Sequence, residues 1–191
     1  MFSRNRHNRS VARNVSLLVA ATLAITTGAQ AAETARTPMV LTAYSNGAGG
    51  TSLLKGDFTD ALTEIQHYKP QAMLAASAKA TNLCVAYAAT KQLTEAKSAC
   101  DAALRQAKYD RLTASRYTAG ASQENSYVAI AYANRAVVHM LSKDEASAKA
   151  DLERAKVLAP NADFVEKNSL SLATKSRSSI AQVDVAISSA R

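Results

Sequence analysis

The chain has no tryptophan, and aromatic residues make up only 5% of it. A core without large rings is filled by small and aliphatic side chains, and the abundant alanine points to closely packed helices. Only three histidines are present; none stands in a metal-ligand spacing, so no metal site is expected. There is no G-x-S-x-G, no P-loop and no dinucleotide fingerprint. No cofactor, no catalytic residue and no enzymatic activity are therefore assigned. The two cysteines do not form Cys-x-x-Cys, which argues against a redox catalyst. No run of five like charges occurs, and without a basic stripe no nucleic-acid partner is expected. No apolar stretch reaches the roughly 20 residues that cross a bilayer comfortably, so the mature chain is expected to have no stable membrane span.

What is present begins with the first 31 residues. Arg4, Arg6, Arg9 and Arg13 form a positive region without an acidic residue, "VSLLVAATLAITT" follows as a short apolar run, and "AQA" ends it. This is the layout of a Sec-type signal peptide, with cleavage expected between Ala31 and Ala32; an uncleaved anchor is the alternative. The mature protein is then exported, periplasmic or associated with the cell envelope. No cysteine lies near the cut, which argues against a lipid-anchored form. Four of the 23 Lys+Arg leave with the segment, so 19 remain against 15 Asp+Glu, and the surplus falls from +8 to +4. The 191 residues suffice for one ordinary domain.

The organisation of that domain is read from intervals. Ala136, Ala148, Leu152 and Ala155 are separated by steps of twelve, four and three, and Pro160 follows. The same intervals recur 52 residues upstream as Cys84, Ala96, Cys100 and Ala103. A half-formed copy appears as Ala61, Ile65 and Tyr68, with Gly49 twelve before Ala61. Steps of three and four share one helix face. A step of twelve across a break fits two antiparallel helices touching through small residues. The breaks are "ATKQLTE" and "LSKDEAS", the second offering Ser142 and Asp144 as N-caps.

The pattern resembles the tetratricopeptide repeat, a 34-residue helix–turn–helix unit. The best copy, Ala129 to Pro160, has Tyr132, the trio Asn134-Arg135-Ala136, then Ala148, Leu152, Ala155 and the closing proline. The second, Ser77 to Lys108, has Asn82, Leu83, Tyr87, Ala96 and Ala103 in matching places, with Lys108 for the proline. The first copy keeps only its second helix, in "KGDFTDALTEI". The expected fold is all-α, without a sheet in its body: stacked antiparallel helical hairpins, two full repeats, a partial N-terminal one and a C-terminal capping helix. That cap is 161–175, with Phe164, Leu170 and Leu172 turned inward. The helical domain spans 51–175. It is preceded by an extended, flexible segment, 32–50, whose "MVLTAY" could lie along the first helices. A poorly ordered tail, 176–191, follows. The good copies lie 18 residues further apart than one repeat, and the surplus falls in 109–126, as a lengthened helix or a projecting loop.

Cys84 and Cys100 face the seam of one hairpin, sixteen residues apart. They form either a disulfide, as an exported chain permits, or two buried thiols. A ligand of the stack would lie on the inner surface of the first helices. Asn82 and Val85 share that face on one helix, and Ile130, Asn134 and Val137 on the other. Arg116 and Tyr117 in the insert are further candidates, since Tyr and Arg are favoured in binding hot spots. The resemblance implies that the two asparagines contact the backbone of a bound peptide. The cation set with which family members clamp a peptide C-terminus is missing. The expected role is a non-catalytic protein–protein interaction module binding a protein segment on the inner face; the alternative is a self-associating structural protein with no groove ligand.

Overall fold

The computed structural model describes residues 38–71, 73–114, 121–175 and 185–190. Ala31, Ala32, Arg116 and Tyr117 lie outside them. The described residues form β1 (Met39–Tyr44), α1 (Gly50–Lys55), α2 (Phe58–His67), α3 (Met73–Ala89), α4 (Leu93–Ala114), α5 (Ala121–Leu141), α6 (Glu145–Leu158), α7 (Asp163–Lys175) and β2 (Val185–Ala190). The fold is all-α: the helices pack on one another, and the only sheet among the described residues is the pair β1–β2. No described helix is long and apolar enough to cross a membrane.

Small residues make the hairpins close. Cys84, Ala96, Cys100 and Ala103 are buried between α3 and α4, and Ala136, Ala148, Leu152 and Ala155 between α5 and α6. Helices that meet through such side chains can approach to roughly 8–10 Å. Gly49 plays this part in the first hairpin: a Cβ there would lie 2.6 Å from Ile65 Cγ1 and 2.8 Å from the Ala61 carbonyl oxygen. Cys84 and Cys100 are joined as a disulfide, with S–S 2.03 Å and Cα–Cα 4.7 Å.

The three hairpins turn in the same way. After α1, the Gly56 N–H bonds to Leu53 O and the Asp57 N–H to Ser52 O. After α3, Lys91 bonds to Ala88 and Gln92 to Tyr87; after α5, Lys143 bonds to Met140 and Asp144 to His139. This paired arrangement closes a helix through one left-handed residue. That residue is Gly56 in the first turn, but Lys91 (φ 59°) and Lys143 (φ 62°) in the others. Asp144 then caps α6, its Oδ1 accepting from Ser147 N at 3.1 Å. Ser147, through its side chain first and this N–H second, holds the Asp144 carboxyl below its ordinary range.

The surplus in 109–126 is spent mainly on helix: α4 has 22 residues and α5 has 21. The longer helices carry a second cluster, where Leu104 and Ala107 meet Val128, Ala131, Tyr132 and Val165. On their outer side Arg135 ties three helices together. It donates to Asp151 of α6 at 2.7 and 2.9 Å and to Asp101 of α4 at 2.8 Å. The two carboxylates, Asp151 first, raise its already high basicity.

Several expectations are overturned. The segment before the first repeat is not simply extended and flexible, and the body does contain strands. β1, with all six residues buried, pairs in parallel with β2, Met39 opposite Val185 through Tyr44 opposite Ala190. Residues 185–190 of the tail expected to be poorly ordered are therefore part of the folded body. The capping helix also differs. Val165, Asn168, Ser171 and Leu172 are its buried residues, whereas Leu170 is 52% exposed.

Candidate functional site: an asparagine ladder on the inner face

The odd-numbered helices α3, α5 and α7 each present one buried asparagine to β1. Asn168 Oδ1 accepts from Val40 N at 2.6 Å, and its Nδ2 donates to Val40 O at 2.9 Å. Asn134 makes the same pair with Thr42, 2.8 Å each way. Asn82 repeats it with Tyr44 at 2.8 and 2.9 Å and donates again to Ala48 O at 3.0 Å. Each amide thus meets both peptide groups of every second strand residue. Along a strand these groups alternate between the two edges. Val40, Thr42 and Tyr44 spend theirs on the asparagines, and the residues between turn theirs to β2. The Ser45 N–H continues that second edge, bonding to Ala190 O at 3.4 Å.

The geometry also requires a concave surface. Two strand residues advance about 6.6–6.8 Å, less than the 8–10 Å between packed helix axes. Three amides on alternate helices keep that register only if they converge inward. Asparagine suits the task because its primary amide, like a peptide group, carries a donor and an acceptor side by side without a charge. Met39, Leu41 and Ala43 join the main apolar cluster with Leu53, Ile65, Val85 and Val137. Thr42 Oγ1 meets Ser188 Oγ across the pair at 3.2 Å.

Glycine makes the strand's exit possible. The chain turns sharply at 45–49 into α1, and a Cβ on Gly50 would collide with the Tyr44 carbonyl oxygen. One on Gly47 would stand 2.9 Å from Asn82 Nδ2.

The residues expected to bind a partner are placed as follows. Asn82 and Asn134 do hold a peptide backbone, but it is the chain's own. Val85, Ile130 and Val137 are at most 4% exposed, so they are not an open apolar surface: β1 covers the inner face, and Val85 and Val137 belong to the core. Asn168 was missed. It stands 34 residues after Asn134, one repeat length, and as a polar residue in a cap it carries no apolar signal. Among the described residues no group of three or more His, Cys, Asp or Glu could hold a metal. Comparison with family models, curated proteins and solved structures finds no match.

Proposed function

We propose that the chain is a non-catalytic protein–protein interaction module of the periplasm or cell envelope, whose inner helical face holds an extended protein segment by its backbone. The observation that carries this reading is the ladder of three asparagines on alternate residues of one strand. The amides read peptide groups rather than side chains, so a partner strand of suitable size could take the place of residues 39–44. The resemblance to tetratricopeptide repeats supports the same use of the inner face, and the spacing from Asn134 to Asn168 strengthens it. The arginine-rich start of the sequence and the disulfide are what an exported protein would have.

A staple tests the reading without removing the asparagines. Thr42 and Ser188 are register partners with touching hydroxyls, so Thr42→Cys with Ser188→Cys should bond β1 to β2. The wild-type chain is expected to capture a partner from envelope extract that the stapled chain does not, with recovery in each single-cysteine variant. Equal capture by wild-type and stapled chains, or none by either, refutes groove binding.

A second reading has one observation in its favour: the segment that fits the groove comes from this chain. Two copies could exchange residues 39–44 and so self-associate. Light scattering distinguishes it, since an exchanged dimer is lost on stapling the monomer.

A further inference from the structure

Tyr132 stands two residues before Asn134, about 200° around α5, and so turns away from β1. It floors a cleft of about 410 Å³ between α4 and α6, within the usual range of ligand pockets. Lys108 Nζ lies 5.1 Å from the centre of the Tyr132 ring, and the guanidinium carbons of Arg135 and Arg154 lie 5.7 Å from it. Cations from three helices thus converge on one ring. Arg135 is engaged by Asp101 and Asp151, and Arg154 by Asp151 at 3.1 Å. Lys108 and Arg111 form the α4 wall, and among the described residues neither has an ion-pair partner. They are three residues apart on one helix, where like charges repel. Asp110 gives no relief: it is buried on the side of α4 away from Lys108, and burial pushes its carboxyl above the ordinary range. Glu153 is the one acid among the lining residues, against three cations. The remaining wall is apolar, with Leu158 beside Val157, whose side chain is 83% exposed.

The cleft therefore joins two unneutralised cations to an uncovered apolar wall. A bare inorganic anion would leave Val157 and Leu158 wet, and a neutral apolar guest would leave both charges unmet. A cation would be repelled. An acid group carrying a carbon chain answers both halves, through charge-assisted hydrogen bonds on one side and apolar burial on the other. We infer that this cleft binds a small organic anion, a carboxylate or phosphate on a short aliphatic chain. Its acid group lies between Lys108 and Arg111 and its chain against Val157 and Leu158. The inference does not depend on the groove reading, because Tyr132 and Asn134 face opposite sides of α5.

Calorimetric titration of the full chain at neutral pH tests it, with hexanoate as probe. Acetate serves as the head without the chain and 1-hexanol as the chain without the charge. Hexanoate should saturate in the millimolar range or below, and acetate should bind at least about tenfold more weakly. Hexyl phosphate in parallel identifies the acid group by whichever binds more tightly. Lys108→Gln with Arg111→Gln, both exposed positions, should weaken hexanoate at least about tenfold with the circular dichroism unchanged. Lys149→Gln with Lys167→Gln removes the same charge elsewhere and should leave binding as it was. Val157→Ser should weaken hexanoate about threefold and leave acetate unchanged. Failure of both hexyl anions to saturate, equal binding of 1-hexanol or acetate, or equal loss in the two double variants would overturn the proposal. So would sedimentation with phosphatidylglycerol vesicles when neither hexyl anion binds, which would make the patch a membrane-facing surface.

Discussion

Truncating the middle rung, Asn134→Ala, is the most direct perturbation of the ladder. Asn134 is 1% exposed and makes two 2.8 Å bonds to the peptide groups of Thr42. The alanine leaves a buried N–H and a buried C=O without partners, each costing about 1–3 kcal/mol. Water entering the vacated space recovers part of that, so a net loss of about 2–4 kcal/mol is expected, a large share of the roughly 5–15 kcal/mol of a typical domain. With a urea m-value near 2 kcal/mol/M, the midpoint should fall by about 1–2 M. Hydrogen exchange separates the local event from the global one. The amides of Val40, Thr42 and Tyr44 should lose protection together while those of α3 and α5 keep theirs, because β1 undocks as a unit. Asn134→Asp sharpens the argument. It keeps the acceptor for Thr42 N–H but points a carboxylate oxygen at Thr42 O, and only its protonated form can donate there. Its folded-state pKa should rise, so the variant should gain stability as pH falls and lose it again as pH climbs through that value. A shift below about 0.5 M in Asn134→Ala, with unchanged exchange at Thr42, would refute the ladder.

Four further outcomes follow. Thiol counting on unfolded, unreduced protein should find no free thiol, and replacing Cys84 and Cys100 by alanine should cost about 3 kcal/mol in thermal or chemical unfolding. Ala148→Lys should leave little soluble folded protein, since a fully buried methyl on the α5–α6 seam would become an unpaired charge, a loss above about 3 kcal/mol. Lys91→Gly with Lys143→Gly should stabilise by about 1 kcal/mol at each site, because both lysines adopt positive φ where a Cβ is penalised; an unchanged urea midpoint would count against it. Asp110→Asn should raise the urea midpoint at neutral pH. The folded acid holds its proton more tightly than the unfolded one, so wild type and variant should converge on acidification through the Asp110 pKa, and a constant gap would contradict this.

The helical part of the molecule could be read because its contacts leave marks at short range. Cys84 with Ala96 and Ala136 with Ala148 are each twelve residues apart and pack within one hairpin. The strand left no such mark. Both faces of "MVLTAY" are buried, so it lacks the alternation of a half-exposed strand. Its hydrogen-bond partners lie 38, 92 and 128 residues away. Nothing local could predict that three amides would replace a neighbouring strand. The order of the tail is hidden from the sequence for a related reason. "VAISSA" is too short and polar to form a strand by itself and gains its order from the exposed edge of β1. Asn82 and Asn134 could be singled out by their matching places, but not the identity of the backbone they would hold.

That identity changes what the inner face can do. A groove lined only by apolar residues would select its occupant by side-chain shape, whereas three amides bind any extended backbone and leave selection to the pockets for Met39, Leu41 and Ala43. An occupant tethered through the turn at 45–49 is present at an effective concentration that a free strand must overcome, commonly millimolar for a short flexible link. The tightly packed glycines make this link stiffer than that. A free competitor therefore has to match the asparagines, fill the same apolar positions more completely, and pair with β2. Pairing with β2 is the discriminating requirement, because β1 in place has one edge on the amides and the other on Val185–Ala190. A strand that met only the asparagines would exchange two satisfied edges for one, and would not displace it.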